Sequence, residues 1–214
     1  MPKVPISGVA KLALKAGREM PGTARRLLAD DRATALVRRA TGRAGLQRAV
    51  AGRLVLMVGT ELGADALREA GAEVRTVRAE DARDLAAGAP DVVVFCHAPV
   101  ADACASTDVD AAAESIEVNY YAMVRAVLAA LPAMRERGSG QIVSASAAAR
   151  ETGAGDRGAM AAAEAFLRIT AAEVAGDGVT VTRVRLPTDP ERAAERICEA
   201  VALRTRVAPV PGIP

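Results

Sequence analysis

Asn119-Tyr120-Tyr121, the run Ala122 to Leu131, Pro132-Ala133-Met134-Arg135-Glu136-Arg137 and then Gly138-Ser139-Gly140-Gln141-Ile142-Val143-Ser144-Ala145-Ser146-Ala147 together decide the fold of this chain. Tyr120, Met123, Val124, Val127, Leu128 and Leu131 recur at helical spacing; Gly138-Ser139-Gly140 breaks the period, and Gln141 to Ser144 reads as a short strand. A helix feeds a buried strand. Upstream, Arg53 to Val58 is a continuous apolar run of strand length, suited to a parallel sheet covered on both faces. Gly59 ends it, Ala64 to Glu69 forms a helix closed by Ala70-Gly71, and Ala72 to Arg78 reads as a second strand, which makes a βαβ unit. A short helix over Asp81 to Ala87 and a turn at Gly88-Ala89-Pro90 lead to a third strand, Asp91 to Phe95. Downstream come a helix over 159–175, a strand from Val179 to Arg185, and a last helix from Glu191 to Leu203 opened by Asp189-Pro190. The tail Pro209 to Pro214 has no further helical capacity. This alternation predicts an α/β fold: a doubly wound, Rossmann-like parallel sheet over 51–214, preceded by a basic helical N-terminal extension over 1–50.

Composition narrows the function classes. With 214 residues, 51% apolar and 25% charged, the chain suits one soluble domain with a real core. Aromatics are 2% and Trp is absent, which removes the stacking platforms of single-strand nucleic-acid binders. Cys96, Cys104 and Cys198 are widely spaced and read as reduced, packed thiols rather than a disulfide or metal set. His97 is the single histidine, so no metal site is expected. No run of about 20 apolar residues and no signal-like segment stands out, so a cytoplasmic protein is expected. Residues 1–53 hold 12 Lys or Arg against Glu19, Asp30 and Asp31, a balance of +9 that leaves −7 for the rest. Two readings of this arm stand side by side: contact with an anionic membrane or acidic partner, or a solvated helical extension that packs its leucines on the domain.

The central segment, with its helix opening on Asn119 and its strand closing on serines, resembles the short-chain dehydrogenase/reductase family, and the likeness runs from about 50 to 210. The resemblance implies NADP or NAD as cofactor, with Gly59 and Gly63 as two of three turn glycines, Arg78 meeting a 2′-phosphate, and Ala98 as the retained residue of an Asn-Asn-Ala-Gly motif. The third glycine position falls on Asp65, and Glu61 adds a second carboxylate to the turn. A plain strand-to-helix turn is the competing reading. His97 at the third strand's end either touches a ligand or is simply packed.

For catalysis, the resemblance assigns Asn119 to a proton relay and the family serine to Ser146 or Ala147, Ala147 being the better register. The family's Tyr-x-x-x-Lys pair, in which the lysine tunes the phenol that donates a proton, falls on Asp156 and Met160. No lysine follows Lys15, and Tyr120 and Tyr121 are the chain's two tyrosines. Leu186-Pro187-Thr188-Asp189-Pro190 runs straight into the last helix where the family has a substrate-covering loop. The first expectation is a catalytically degenerate family member acting as a binding or interaction module, a homodimer or a partner of an active relative through helices 116–131 and 159–175. The alternatives are an NAD(P)-dependent oxidoreductase that uses Tyr120 or Tyr121 with Asn119 in a rearranged site, and a membrane-peripheral protein anchored by residues 1–50. No nucleic-acid partner is expected.

Overall fold

Short apolar runs become strands here because each is bounded by a turn and offers side chains to two helical layers. The computed structural model describes residues 42–79, 81, 88–97, 109–147 and 153–203, and all of these from Leu46 onward belong to one compact unit. Most of the basic arm, Ala98, Cys104, the expected helix over Asp81 to Ala87 and the Pro-rich tail lie outside the described residues.

In chain order the elements are α1 (Arg43–Val50), β1 (Leu54–Val58), α2 (Ala64–Glu69), β2 (Glu73–Val77), β3 (Val92–His97), α3 (Val109–Ile116), a π-helical turn (Glu117–Tyr121), α4 (Ala122–Glu136), β4 (Gly140–Ala147), α5 (Ala154–Glu173), β5 (Val179–Leu186) and α6 (Pro190–Leu203). The five strands form one sheet in the order β2-β1-β3-β4-β5, and every pair is parallel. This is the doubly wound architecture expected from the alternation of elements. On one face Leu56, Phe95 and Ile142 pack with Met123 and Val127 of α4 and Leu167 of α5. On the other, Met57, Val94 and Val143 pack with Val50 of α1, Leu67 of α2 and Ile197 of α6.

Boundaries move where pairing or solvent overrides local signals. β3 runs on through Cys96 and His97 because these pair in register with Ala145 and Ser146. α4 continues past Pro132 to Glu136; the carbonyl that proline leaves unbonded is that of Leu128, which is 53% exposed, so water can satisfy it. The link from β5 to α6 is only Pro187, Thr188 and Asp189, and the Asp189 carboxylate accepts the Arg192 N–H at 2.8 Å, an N-terminal cap.

Asp91 ties the amino ends of the central strands. Its N–H donates to the Leu54 carbonyl at 2.8 Å and its own carbonyl accepts the Gln141 N–H at 3.0 Å. Its carboxylate accepts the Leu54 N–H at 2.9 Å and faces Arg137 at 3.6 Å. Arg137 also donates to the Pro90 carbonyl at 2.9 Å. We expect Asp91→Ala, which strands the Leu54 donor, to cost about 1–3 kcal/mol; urea unfolding should show a lower midpoint with an unchanged slope.

Candidate functional site

The strand order reverses between β1 and β3, so a crevice opens at their carboxyl ends, where ligands of such sheets bind. The turn after β1 shapes one side of it. Gly59 (φ 73°) and Gly63 (φ 83°) both adopt the left-handed conformation, yet each answers to the protein's own packing. A Cβ on Gly59 would lie 3.1 Å from the Cys96 carbonyl, and one on Gly63 would lie 3.2 Å from both the Ala194 carbonyl and Cys198 Sγ. Several turn amides are engaged internally. Leu62 N–H donates to Thr60 Oγ1 at 3.0 Å, Ala64 N–H to the Glu61 carbonyl at 2.9 Å and Gly59 N–H to the Val77 carbonyl at 3.0 Å. α2 has six residues, and Asp65 in its first turn pairs with Arg68 at 2.9 Å. On the β2 side of this turn the Thr76 hydroxyl donates to the Glu61 carboxylate at 3.3 Å. An open hollow of about 450 Å³ lies beside this pair, with Thr60, Val77, Arg78, Ala79 and Val118 in its wall.

Deeper in the sheet, His97 and Ser144 are both buried, and His97 Nε2 lies 2.9 Å from Ser144 Oγ. The Phe95 ring meets the imidazole edge-on at 5.0 Å. Nδ1 of His97 has no hydrogen-bond partner among the described residues. Burial lowers the His97 pKa to about 4, so the ring is neutral at pH 7. Burial also raises the Cys96 thiol, against an opposing hydrogen bond with Thr60, and pushes Cys198 up to about 11, with the Glu199 charge adding to it. Neither is a reactive thiolate. Among the described residues no group of His, Cys, Asp and Glu could hold a metal ion.

A second polar cluster lies where α3, the π-helical turn and α5 meet. Asn119, Ser115 and Asp156 are at most 1% exposed. The Ser115 hydroxyl donates to Asp156 Oδ1, and Asn119 Nδ2 donates to Ser115 Oγ at 3.4 Å. A π-turn adds a residue to the helix and re-aims side chains, a device found often at functional sites; here it carries Asn119 inward. Met160 stands one turn beyond Asp156 on α5. Ser146 sits opposite His97 in the β3–β4 ladder, on the same strand face as Ser144, and Ala147 ends the strand. Tyr120 packs against the rings of Tyr121 and Phe166, while Tyr121 is half-exposed with Arg125 over its ring.

The structure thus joins Asn119 to Asp156, puts Gly59 and Arg78 at the hollow and leaves Gly63 under α6. Ser115 was missing from the sequence reading, although its i, i+4 spacing to Asn119 was available; the Glu61–Thr76 pair bridges 15 residues and had no local signal. A diphosphate needs several free amides at a helix N-terminus. This turn spends the Leu62 and Ala64 amides on itself and adds two carboxylates, Glu61 and Asp65.

The family model described as enoyl-(acyl carrier protein) reductase matches residues 71–195, more than half of the chain. Among solved structures, gox2181 is 15% identical with a TM-score of 0.61, over 75% of this chain and 93% of that one. A metagenomic short-chain oxidoreductase solved with NADP is 16% identical with a TM-score of 0.58, over 76% and 97%. A protein from Burkholderia xenovorans described as a short-chain dehydrogenase/reductase is 18% identical with a TM-score of 0.56, over 67% and 74%. No curated protein matches the chain.

His97 generates a pH dependence whose sign follows from its lowered pKa. Below the unfolded value near 6.5 the unfolded chain binds a proton that the folded chain refuses until about pH 4. Folding stability therefore declines between those limits, by roughly 3 kcal/mol. Urea unfolding at pH 7 and pH 4.5 should show a smaller loss for His97→Gln than for the parent chain.

Proposed function

The chain belongs to the family described as enoyl-(acyl carrier protein) reductase, among the short-chain dehydrogenases/reductases, and we propose that it is a degenerate member serving as a folded binding module rather than as a nicotinamide-dependent reductase. The observation that carries this reading is Asp156. At the position which the resemblance assigns to the family's tyrosine stands a carboxylate that is 1% exposed and takes the Ser115 hydroxyl. A proton donor for a carbonyl must reach the substrate; this group is enclosed by its own neighbours. Met160, at the lysine position, is apolar, and the turn after β1 favours no diphosphate. The family's cofactor, NADP or NAD, supplies hydride when bound.

The test is a coupled assay with NADPH and NADH against a panel of carbonyl and enoyl substrates. No oxidation above the protein-free rate is expected. Saturable turnover that disappears in Asn119→Ala would overturn the reading in favour of an oxidoreductase with a rearranged site.

A specific observation favours pairing as the module's mode of action. Tyr121 at the end of the π-helical turn and Arg125, Leu128 and Pro132 of α4 face solvent along one stripe, and α5 turns out Ile169 with Ala165 and Ala172 about one turn away on either side. Leu128 is 53% and Ile169 50% exposed, and small residues beside an exposed isoleucine let another helix approach closely. We read this face as the contact between two copies of the chain. Sedimentation should give a dimer, and Leu128→Glu combined with Ile169→Glu should give a folded monomer; a monomeric parent chain would sink this part of the proposal.

A further inference from the structure

We infer that α3 has two registers against the helices it packs on, and that the Ser115–Asp156 link selects the one in which Val109 and Ile116 face solvent. The inference goes beyond the binding-module reading and does not depend on it. It comes from a conflict between two periods along one continuous helical run, Val109 to Glu136. On α4 the buried residues Met123, Val127, Ala130 and Met134 recur at steps of four, three and four, the inner stripe of an α-helix. Carried upstream at the same spacing, that stripe falls on Asn119 or Tyr120, then on Ile116, Ala112 and Val109. The apolar face written in the sequence thus runs on into α3. The structure does not follow it. The π-helical turn over Glu117–Tyr121 inserts one residue, which rotates α3 by about 100° against α4. Ser115 is thereby buried, whereas Ile116 is 40% and Val109 82% exposed.

Two apolar side chains face water while a serine faces inward, and the contact that holds them so is on α5. Asp156 accepts the Ser115 hydroxyl, and Ser115 accepts Asn119 Nδ2 at 3.4 Å. A hydrogen bond to a carboxylate is stronger than one between neutral groups, but it is a single contact, whereas an apolar stripe gains with every side chain removed from water. The two cannot be satisfied together. Moving the extra residue to the amino end of α3 brings Ile116 to the place of Ser115, continues the core stripe of α4 and ends the Ser115–Asp156 bond. Asn119 falls on the inner side in both registers, so the difference is read at Ser115 and Ile116, neighbours in sequence about 100° apart around the helix. Packed elements with two discrete arrangements switch as units rather than deform continuously. The link to Asp156 therefore decides whether Val109 and Ile116 are displayed or withdrawn.

The experiment is maleimide labelling of the full chain carrying Ile116→Cys, with Glu114→Cys as the control. Glu114 is exposed, and it stays on the outer side in the second register because it lies two residues from Ile116, across the helix. Site-resolved mass spectrometry separates the reporter thiol from Cys96, Cys104 and Cys198. Each reporter is measured in the parent background and again with Ser115→Ala or with Asp156→Leu. Either substitution should slow labelling at Ile116→Cys by about tenfold, the size of one hydrogen bond to a charged group, and leave Glu114→Cys unchanged. Circular dichroism verifies folding, and Ser115→Ala, a change to the best helix former, decides alone where Asp156→Leu does not fold. The same labelling rate at Ile116→Cys in every folded background would overturn the inference. Faster labelling at both reporters would overturn it too, because α3 would then be detaching rather than turning.

Discussion

β3 is the constraint on which the rest of this structure depends. Both of its edges are paired in parallel, to β1 and β4, and both faces are buried, Val92, Val93, Val94 and Phe95 being at most 1% exposed. A strand covered on both faces cannot alternate apolar and polar residues, and it forces the connecting helices into two layers. It also fixes where chemistry can gather. Once β1, β3 and β4 share a direction, the residues that follow or end them (Gly59 to Gly63, Cys96, His97, Ser144 and Ser146) must converge on one rim. The Asp91 contacts anchor the opposite rim, so the convergence is held from the far end of the sheet.

This constraint explains what could be read from the residues alone. The run Arg53 to Val58 and the helix-turn-strand from Tyr120 to Ser144 carry period and punctuation, and both stand where that pattern puts them, except that β4 runs three residues further, to Ala147, along β5. The end of β3 was read two residues early, at Phe95, because Cys96 and His97 are not strand formers by type; their place is set by Ala145 and Ser146 across the ladder. Pro132 does not end α4, since its missing hydrogen bond falls on the wet side of that helix. The pairing of Asn119 with Asp156 through Ser115 could not be found from the residues. Ser115 and Asp156 are 41 residues apart, and only the packing of α3 and α5 brings them together.

The carboxylates of Glu61 and Asp156 are handled in opposite ways, and the difference is physical. Glu61 is exposed and solvated at the edge of the hollow. Asp156 is buried, where an unsatisfied polar group costs several kcal/mol, and it persists there because Ser115 donates to it and Asn119 in turn donates to Ser115. A buried polar cluster of this kind ties helices together in one register, although Asp156 Oδ2 has no hydrogen-bond partner among the described residues. Asn119, which the π-helical turn carries inward, thereby acts on the same partners that hold α3 against α5. Exchanging Asp156 for another residue would leave Ser115 and Asn119 without the acceptor that organises them, and α3 and α5 would lose this polar link.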